Sequence, residues 1–525
     1  MRTLFFAISA VLFAADGMLA YFWSPAIWGL AALVPLFILG LCDILQKKHS
    51  IRRNFPVIGH GRYLLEHIRP EINQYFVESN WDGMPFNRSK RSVVYQRAKG
   101  VTDTVPFGTQ TDVYETGYEW INHSLVPKPV LKEEPRVRIG GKDCRQPYFA
   151  SVFNVSAMSY GSLSSNAVRA LNRGAKLGGF YHNTGEGGLS PYHLEDGGDI
   201  VWQIGTGYFG CRDAHGNFDE ENFRKRATLP QVKMIELKLS QGAKPGHGGI
   251  LPAAKVTEEI AEIRGVAQGK DVLSPPAHSA FSTPRGLLEF LARLRELSGG
   301  KPVGFKLCLG KHREFLGICK AMLQTGILPD FITVDGGEGG TGAAPMEFAD
   351  SIGTPLNDGL IFIHNSLVGI GVRDQIKIIC SGKITTGFAI ASKLALGADL
   401  CNSARGMMFA IGCIQALRCN NNTCPTGVAT QDPDLVKGLD VGDKSVRVKN
   451  FHHATVHSFF EVIAAAGLSH PSELRPWHIQ RRVSAWEVKH YGEMYPYIEA
   501  EALLRTEVPQ TYARPWAAAN AESFS

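Results

Sequence analysis

Charge is scarce in this 525-residue sequence: Asp, Glu, Lys and Arg make up 20% of it, and the formal net charge is only +6. The basic residues cluster locally, as in Lys47, Lys48, Arg52 and Arg53, and no continuous basic stripe interleaved with aromatics runs along the chain. That excludes the electrostatic footprint of a nucleic-acid binder, so no nucleic-acid partner is expected. The ten cysteines are scattered apart from one group of three, without the spacing of a disulfide framework, which points to a reducing compartment. No nicotinamide-binding fingerprint of the type G-x-G-x-x-G after a strand is expected in the chain. An electron donor would then be a separate protein.

Glycine and apolar residues are plentiful. The 56 glycines and 44% hydrophobic content describe a globular chain with a large core, and the length suits one elaborated barrel with appendages. At the N-terminus an apolar run from Leu4 to Phe22, interrupted by Ser9 and Asp16, is followed after Ser24-Pro25 by a second run from Ala26 to Cys42. Each approaches the roughly 20 residues that span a bilayer. A secretory signal would have a shorter apolar stretch and no second run directly behind it. Positive charge flanks the pair, at Arg2 and from Gln46 to Arg53, which puts both ends and the body of the protein on the cytoplasmic side. Residues 1–45 are therefore expected to form a two-helix anchor in the cell membrane. Asp16 is expensive in lipid; it marks either a partner contact or a tilt of this segment toward the interface.

Residues 46–145 mix polar, aromatic and Pro/Gly-rich stretches without a period and read as a lead-in that packs on the catalytic core. From Phe153 the rhythm changes to short apolar runs alternating with amphipathic segments and glycine-rich turns, the pattern of βα units around a parallel sheet. The spacing predicts strands at Phe153–Met158, Phe180–Asn183, Ile200–Ile204, Met234–Leu239, Val303–Cys308, Phe331–Asp335, Lys377–Cys380 and Asp399–Asn402. It predicts helices that include Ser164–Leu177, Val256–Gly265, Pro284–Leu297, Arg313–Leu323 and Gly387–Leu396. Eight strands favour a (β/α)8 TIM barrel within residues 146–435, although a doubly wound sheet gives the same alternation. Residues 436–525 read as a helical extension.

Three features carry chemistry. Cys413, Cys419 and Cys424, the last followed by Pro425, lie within twelve residues. Neighbouring thiolates on an irregular loop suit an iron–sulfur cluster, and three without an evident fourth favour a three-iron cluster over zinc, with buried apolar cysteines as the plain alternative. Two glycine-rich turns, Asp335 to Gly342 and Ser381 to Gly387, follow late strands, where barrel backbone amides gather around a phosphate. A strand end then runs from Glu236 through Lys238 into a glycine-dense loop bearing Lys244 and His247. A lysine there can hold negative charge on a reduced flavin, and a second can clamp a carboxylate; solvated surface lysines are the commoner alternative.

The stretches Ala157-Met-Ser-Tyr-Gly-Ser-Leu-Ser164, Asn183-Thr-Gly-Glu-Gly-Gly188, Gln241-Gly-Ala-Lys-Pro-Gly246, Ser274-Pro-Pro276, Gly339-Gly-Thr-Gly-Ala343 and Gly412-Cys413 through Cys424-Pro-Thr-Gly-Val-Ala-Thr-Gln431 resemble the FMN-binding synthase domain of glutamate synthase and its shorter relatives. They fall in that family's order over roughly residues 150–435. The resemblance implies FMN against Ala157, Met158 and Ser159, with Gln203 and Lys238 near its ring and Gly336, Gly337, Gly339, Gly340, Thr341 and Gly382 on its phosphate. It implies Cys413, Cys419 and Cys424 as ligands of a [3Fe-4S] cluster. Lys244 and Arg264 would hold a 2-oxo acid with Glu186 beside the reacting carbon, and 2-oxoglutarate and ammonia would yield glutamate. Fixed cations are what a dicarboxylate demands.

The sequence departs from the family in two ways. Ile250 stands where the family's synthases carry a glutamine that helps hold the oxo acid. The N-terminal glutaminase domain and the long C-terminal β-helix are also not recognised, so ammonia or another amine is expected from solution or from a separate amidotransferase subunit, and electrons from ferredoxin or a separate reductase. A membrane-tethered flavin and iron–sulfur electron-transfer subunit, and an N-alkyl amino acid synthase using another amine, are the alternatives.

Overall fold

The computed structural model describes residues 1–101 and 104–525, and the chain divides into two compact units, Met1–Arg88 and Ser89–Ser525. In the first, helix α1 (Arg2–Phe22) is followed by a 3-10 turn and helix α2 (Leu30–Leu45). The two apolar stretches Arg2–Phe22 and Ser24–Leu45 are long and apolar enough to cross a membrane. Their shared face is aromatic, with Phe5 stacked on Phe37 at 5.8 Å between ring centroids, and the Asp16 carboxylate abuts Gly29 in the turn. At the far end of α2, buried Asp43 accepts a hydrogen bond from the Val57 amide at 2.9 Å and meets His60 Nε2 at 2.8 Å. Helix α3 (Gly59–Ile72) follows.

The second unit is built on a closed parallel barrel of eight strands. They are β1 (Phe153–Val155), β2 (His182–Asn183), β3 (Ile200–Ile204), β4 (Val232–Lys238), β5 (Val303–Leu307), β6 (Phe331–Asp335), β7 (Lys377–Ser381) and β8 (Leu400–Ser403). All eight strands expected from the sequence are present, and β8 pairs back onto β1 to close the ring. Closure excludes the doubly wound alternative. The interior is packed, as barrels of this size require: Tyr181, Val201, Met234, Phe331, Ile379 and Leu400 form one buried cluster with Ile139 and Ala150. Those last two belong to a hairpin, Val137–Ile139 paired with Tyr148–Ala150, that plugs the N-terminal end of the barrel.

Helices form where caps and periodicity agree. Helix α4 (Arg88–Lys99) precedes the barrel. Helix α5 (Ser165–Gly178) starts at Ser164, whose hydroxyl accepts from the Ala167 amide, and ends at Gly179 in the left-handed region at φ 71°. Thr283 and Thr386 cap the helices Pro284–Leu297 and Gly387–Ala395 in the same way. The C-terminal extension contributes the 25-residue helix α6 (Val441–Ala465), which packs along α5. It also holds strands Ile479–Arg482 and Val488–His490, which join Glu119–Ile121 in a three-stranded antiparallel sheet. The expected all-helical character is thus mixed, because the pairing partner lies about 360 residues away and leaves no local trace.

The bare G-x-G-x-x-G spacing does occur twice, at Gly205–Gly210 after β3 and Gly337–Gly342 after β6. The expectation that no such spacing follows a strand is thereby corrected; neither stretch leads directly into a helix.

At the plugged end Asp330 ties lead-in to barrel. Its carboxylate accepts from the Gly141 amide (2.7 Å), the Val303 amide (2.8 Å) and Arg295 Nε (3.0 Å), and both charged groups are buried. Removing one partner of such a pair strands the other charge. Asp330→Ala should therefore destabilise the protein by about 3–5 kcal/mol, measured as a lowered urea midpoint; an unchanged midpoint would show that Arg295 finds a replacement.

Candidate active site

The C-terminal ends of the barrel strands carry a lattice of buried charges. On β4, Glu236 accepts hydrogen bonds from Asn183 Nδ2 (2.8 Å), Gln203 Nε2 (2.5 Å) and Thr333 Oγ1 (2.6 Å). Two residues on, and so on the same face of the strand, Lys238 Nζ reaches Glu186 Oε1 and Gln241 Oε1, each at 2.7 Å. Next door, Lys306 on β5 pairs with Asp335 on β6 at 3.0 Å, and Asp335 also accepts from the Gly242 amide at 3.1 Å. Burial alone would lower the Lys306 ammonium, but Asp335 and Glu236 hold it above its ordinary value. Lys306, Asp335 and Glu236 were not singled out in the sequence as site residues, though a lysine and acids inside apolar strands are a legible anomaly. Gln203, expected beside a flavin ring, has its amide nitrogen committed to Glu236.

Glu186 and Lys244 from two loops and Arg264 from the C-terminal end of the short helix Glu258–Arg264 come together. Burial would raise the Glu186 carboxyl, but Lys238, Lys244 and Arg264 hold it below the usual carboxylate range. Burial pushes Lys244 down to about 8 and Arg264 to about 10, with Glu186 opposing both shifts. Arg264 Nη2 donates to the Tyr160 carbonyl at 3.1 Å, whereas its buried Nε has no protein acceptor. Lys244 Nζ donates to the Ala343 carbonyl at 3.0 Å. The loops fit only with glycine at key points: a Cβ on Gly187 would lie 2.7 Å from both Arg264 Nη2 and Ser159 Cβ. His278 bridges Tyr208 Oη (3.0 Å) and the Lys238 carbonyl (2.9 Å), and burial lowers it to about 4, so it is a neutral strut for the strand end. Ile250 lies in a two-residue strand paired with Val272–Leu273, and the adjacent Gly249 faces the Glu186 carboxylate.

Met158 and Ser159, both buried, and Ala157 follow β1. Across the mouth are the two late glycine turns. Three of the six residues expected at a phosphate have internally used amides: Gly336 N donates to the Ser381 carbonyl, Gly337 N to Thr354 and Gly339 N to Gly336. Among the described residues, the amides of Gly340, Thr341 and Gly382 meet no protein acceptor. Two cations gather there that the sequence reading missed, Lys383 after β7 and Arg405 after β8; burial, then the charge of Arg405, lowers the Lys383 ammonium.

The cysteine loop leaves the short helix Arg405–Ala410 and holds Gln415, Leu417 and Asn422 at positive φ, which asparagine tolerates and which is uncommon for glutamine and leucine. The three thiols are close enough to act on one another electrostatically. Among the described residues, no three His, Cys, Asp or Glu side chains converge on one point as ligands of a single metal ion. Behind the loop, buried Lys255 donates to the Ser162 (3.0 Å) and Ala429 (2.8 Å) carbonyls, Gln431 Nε2 donates to Gly161 (3.1 Å) and Leu163 (2.9 Å), and Ser164 Oγ donates to Gly427 (2.6 Å). The cysteine loop and the Ala157–Ser164 loop are therefore one bonded assembly.

Residues 127–469 match the model of the conserved region in glutamate synthase. The chain belongs to the glutamate synthase family. It is 41% identical over 481 residues to the glutamate synthase large subunit-like protein YerD of Bacillus subtilis, spanning 84% of this chain and 91% of that one. An archaeal glutamate synthase (NADPH) of Methanocaldococcus jannaschii is 34% identical over 322 residues, 61% of this chain and 60% of that protein. The archaeal-type glutamate synthase (NADPH) of Thermotoga neapolitana is 34% identical over 321 residues, with the same coverages. The match to the glutamate synthase model covers the barrel, the cysteine loop, the hairpin plug and α6; residues 1–126 lie ahead of it.

The lysine loop and the glycine turn of this glutamate synthase barrel touch backbone to backbone, since a Cβ on Gly242 would stand 1.6 Å from the Gly336 carbonyl oxygen. Gly242→Ala should force the two loops apart at a cost of about 1–3 kcal/mol, read from the urea midpoint; retention of the wild-type midpoint would show that the loops separate freely.

Proposed function

We propose that the protein is an FMN- and iron–sulfur-dependent oxidoreductase of glutamate synthase type that reductively aminates a 2-oxo acid, with 2-oxoglutarate and ammonia as the pair the site suits best. The observation that carries this reading is the convergence of Lys244 and Arg264 on the Glu186–Lys238 pair at the barrel mouth. A buried arginine nitrogen without an acceptor costs free energy, and a substrate carboxylate supplies the missing acceptor.

The residues fit both cofactors. Amides of Gly340, Thr341 and Gly382, together with Lys383 and Arg405, would hold the FMN phosphate. Cys413, Cys419 and Cys424 would hold a [3Fe-4S] cluster rather than a single ion, since in such a cluster each thiolate would take a different iron. When bound, FMN supplies hydride transfer and the cluster one-electron relay.

The chain's own residues do the rest. Lys244 and Arg264 neutralise the two carboxylates of the oxo acid and fix its 2-carbon. Ammonia adds to that carbon and water leaves, giving an imine. The Glu186 carboxylate favours the protonated imine, whose carbon accepts a hydride more readily, and the product is the amino acid. Lys238 anchors Glu186 and holds positive charge at the barrel centre. The amine comes from solution or from a separate amidotransferase subunit, and electrons come from ferredoxin or a separate reductase. The two apolar helices anchor the enzyme in the cell membrane with the barrel on the cytoplasmic side. Ile250 favours a second reading: with a side chain at position 250 that cannot hydrogen-bond, the site suits another amine or oxo acid, as in an N-alkyl amino acid synthase or an electron-transfer subunit without amino-acid chemistry.

The deciding experiment is anaerobic. The chemically reduced protein is mixed with 2-oxoglutarate and ammonia; flavin reoxidation with glutamate formation is expected, and a spectrum indifferent to both would sink the substrate assignment. In the same assay Lys244→Ala should raise the KM for the oxo acid roughly 10- to 100-fold, the worth of one charge-assisted hydrogen bond. Because the Lys244 pKa is lowered to about 8, its positive charge is present below that pH and lost above it, so oxo-acid affinity should fall as pH rises through 8; a flat profile would remove Lys244 from the site. Cys419→Ser should lose iron while retaining flavin, measured by metal analysis and visible spectrum; full iron content would refute the ligand assignment.

A further inference from the structure

Arg91 lies on α4, ahead of the barrel, and is only 4% exposed. Its Nε and Nη2 are buried without a hydrogen-bond partner. Among the described residues no carboxylate pairs with it. A buried guanidinium in that condition is costly, because its desolvation is offset by neither an ion pair nor a full set of hydrogen bonds. Lys255, the other buried cation near the cysteine loop, is explained by the two carbonyls it holds; Arg91 has no such explanation within the protein.

Its surroundings indicate what it faces. Tyr95, one turn along and so on the same side of α4, donates its hydroxyl to the Cys413 carbonyl at 2.7 Å and packs edge-on against Phe409. Arg91 lies near enough to Cys413 for the two side chains to interact electrostatically. The face of α4 bearing positions 91 and 95 is thus laid against the start of the cysteine loop. A cluster held by three thiolates is anionic and gains one more negative charge when it takes up an electron, and net charge around a cluster is a main determinant of its potential. A fixed, desolvated, permanently protonated cation beside one ligand stabilises the reduced form more than the oxidised one.

We propose that Arg91 is the counter-charge of the cluster held by Cys413, Cys419 and Cys424 and raises its reduction potential, so that a helix outside the barrel tunes electron entry. The inference rests on the iron–sulfur reading above. Arg91 is a positioning residue of the redox site and touches neither substrate nor flavin.

The test uses the full-length protein with Arg91→Gln, Arg91→Lys and the uncharged control Tyr95→Phe. Iron and sulfide content are measured first, then the cluster potential by a redox titration followed by electron paramagnetic resonance. Arg91→Gln should shift the potential to more negative values, by about 59 mV for each tenfold loss in the one-electron reduction equilibrium, with iron retained and Arg91→Lys and Tyr95→Phe near wild type. Loss of iron from Arg91→Gln alone, with Arg91→Lys still loaded, would also support a charge role. A wild-type potential in iron-loaded Arg91→Gln would overturn the proposal, as would loss of iron from Arg91→Gln and Arg91→Lys together, which marks a steric role. Absence of iron from the wild-type protein would instead overturn the cluster reading, and metal analysis separates that failure from this one.

Discussion

Everything at the barrel mouth depends on keeping opposite charges paired out of water. Glu236, Lys238, Glu186, Lys306 and Asp335 are drawn from neighbouring strands and one loop, and each finds its partner in an adjacent strand or loop. Desolvation on this scale is affordable only when every charge has close, oriented partners. The closed barrel provides them: parallel register sets Lys306 of β5 beside Lys238 of β4, and each of these cations is paired with a carboxylate of its own, Asp335 and Glu186. A lattice so fully committed holds side chains in one arrangement before any ligand arrives, which is the condition for electrostatic work at a reacting carbon.

The second constraint is continuity between the mouth and the cysteine loop. Ser164, Lys255 and Gln431 donate to carbonyls across the boundary, so the backbone proposed to lie against the flavin is braced by the loop proposed to hold the cluster. The helix α4 joins this bonded frame through Tyr95, whose hydroxyl donates to the Cys413 carbonyl.

Legibility followed the range of the interactions involved. The eight strands could be read because each is a short apolar run bounded by turns, and the caps at Ser164, Thr283 and Thr386 act within three residues. The cysteines and late glycine turns stood out for the same reason. Lys306, Asp335, Lys383, Arg405, Lys255 and Arg91 were not picked out, because a lone charged residue in sequence says nothing about whether its side chain ends in solvent or in a charge lattice. The strands of the C-terminal extension were missed because their partner, Glu119–Ile121, enters the chain hundreds of residues earlier.

By itself the sequence determined the order of the eight core strands, the cysteine spacing and the apolar N-terminal pair, since these follow from local periodicity and composition, while closure of the strands into a barrel rather than an open sheet was settled by the pairing of the last strand with the first. Only the tertiary structure decided which charges face one another. It brought Glu186, Lys238, Lys244 and Arg264 together across some eighty residues, committed the Gln203 amide nitrogen to Glu236, and buried Arg91 beside Cys413. The physical reason is that the free energy of a charge depends on its distance from other charges and from water, and barrel closure alone sets those distances.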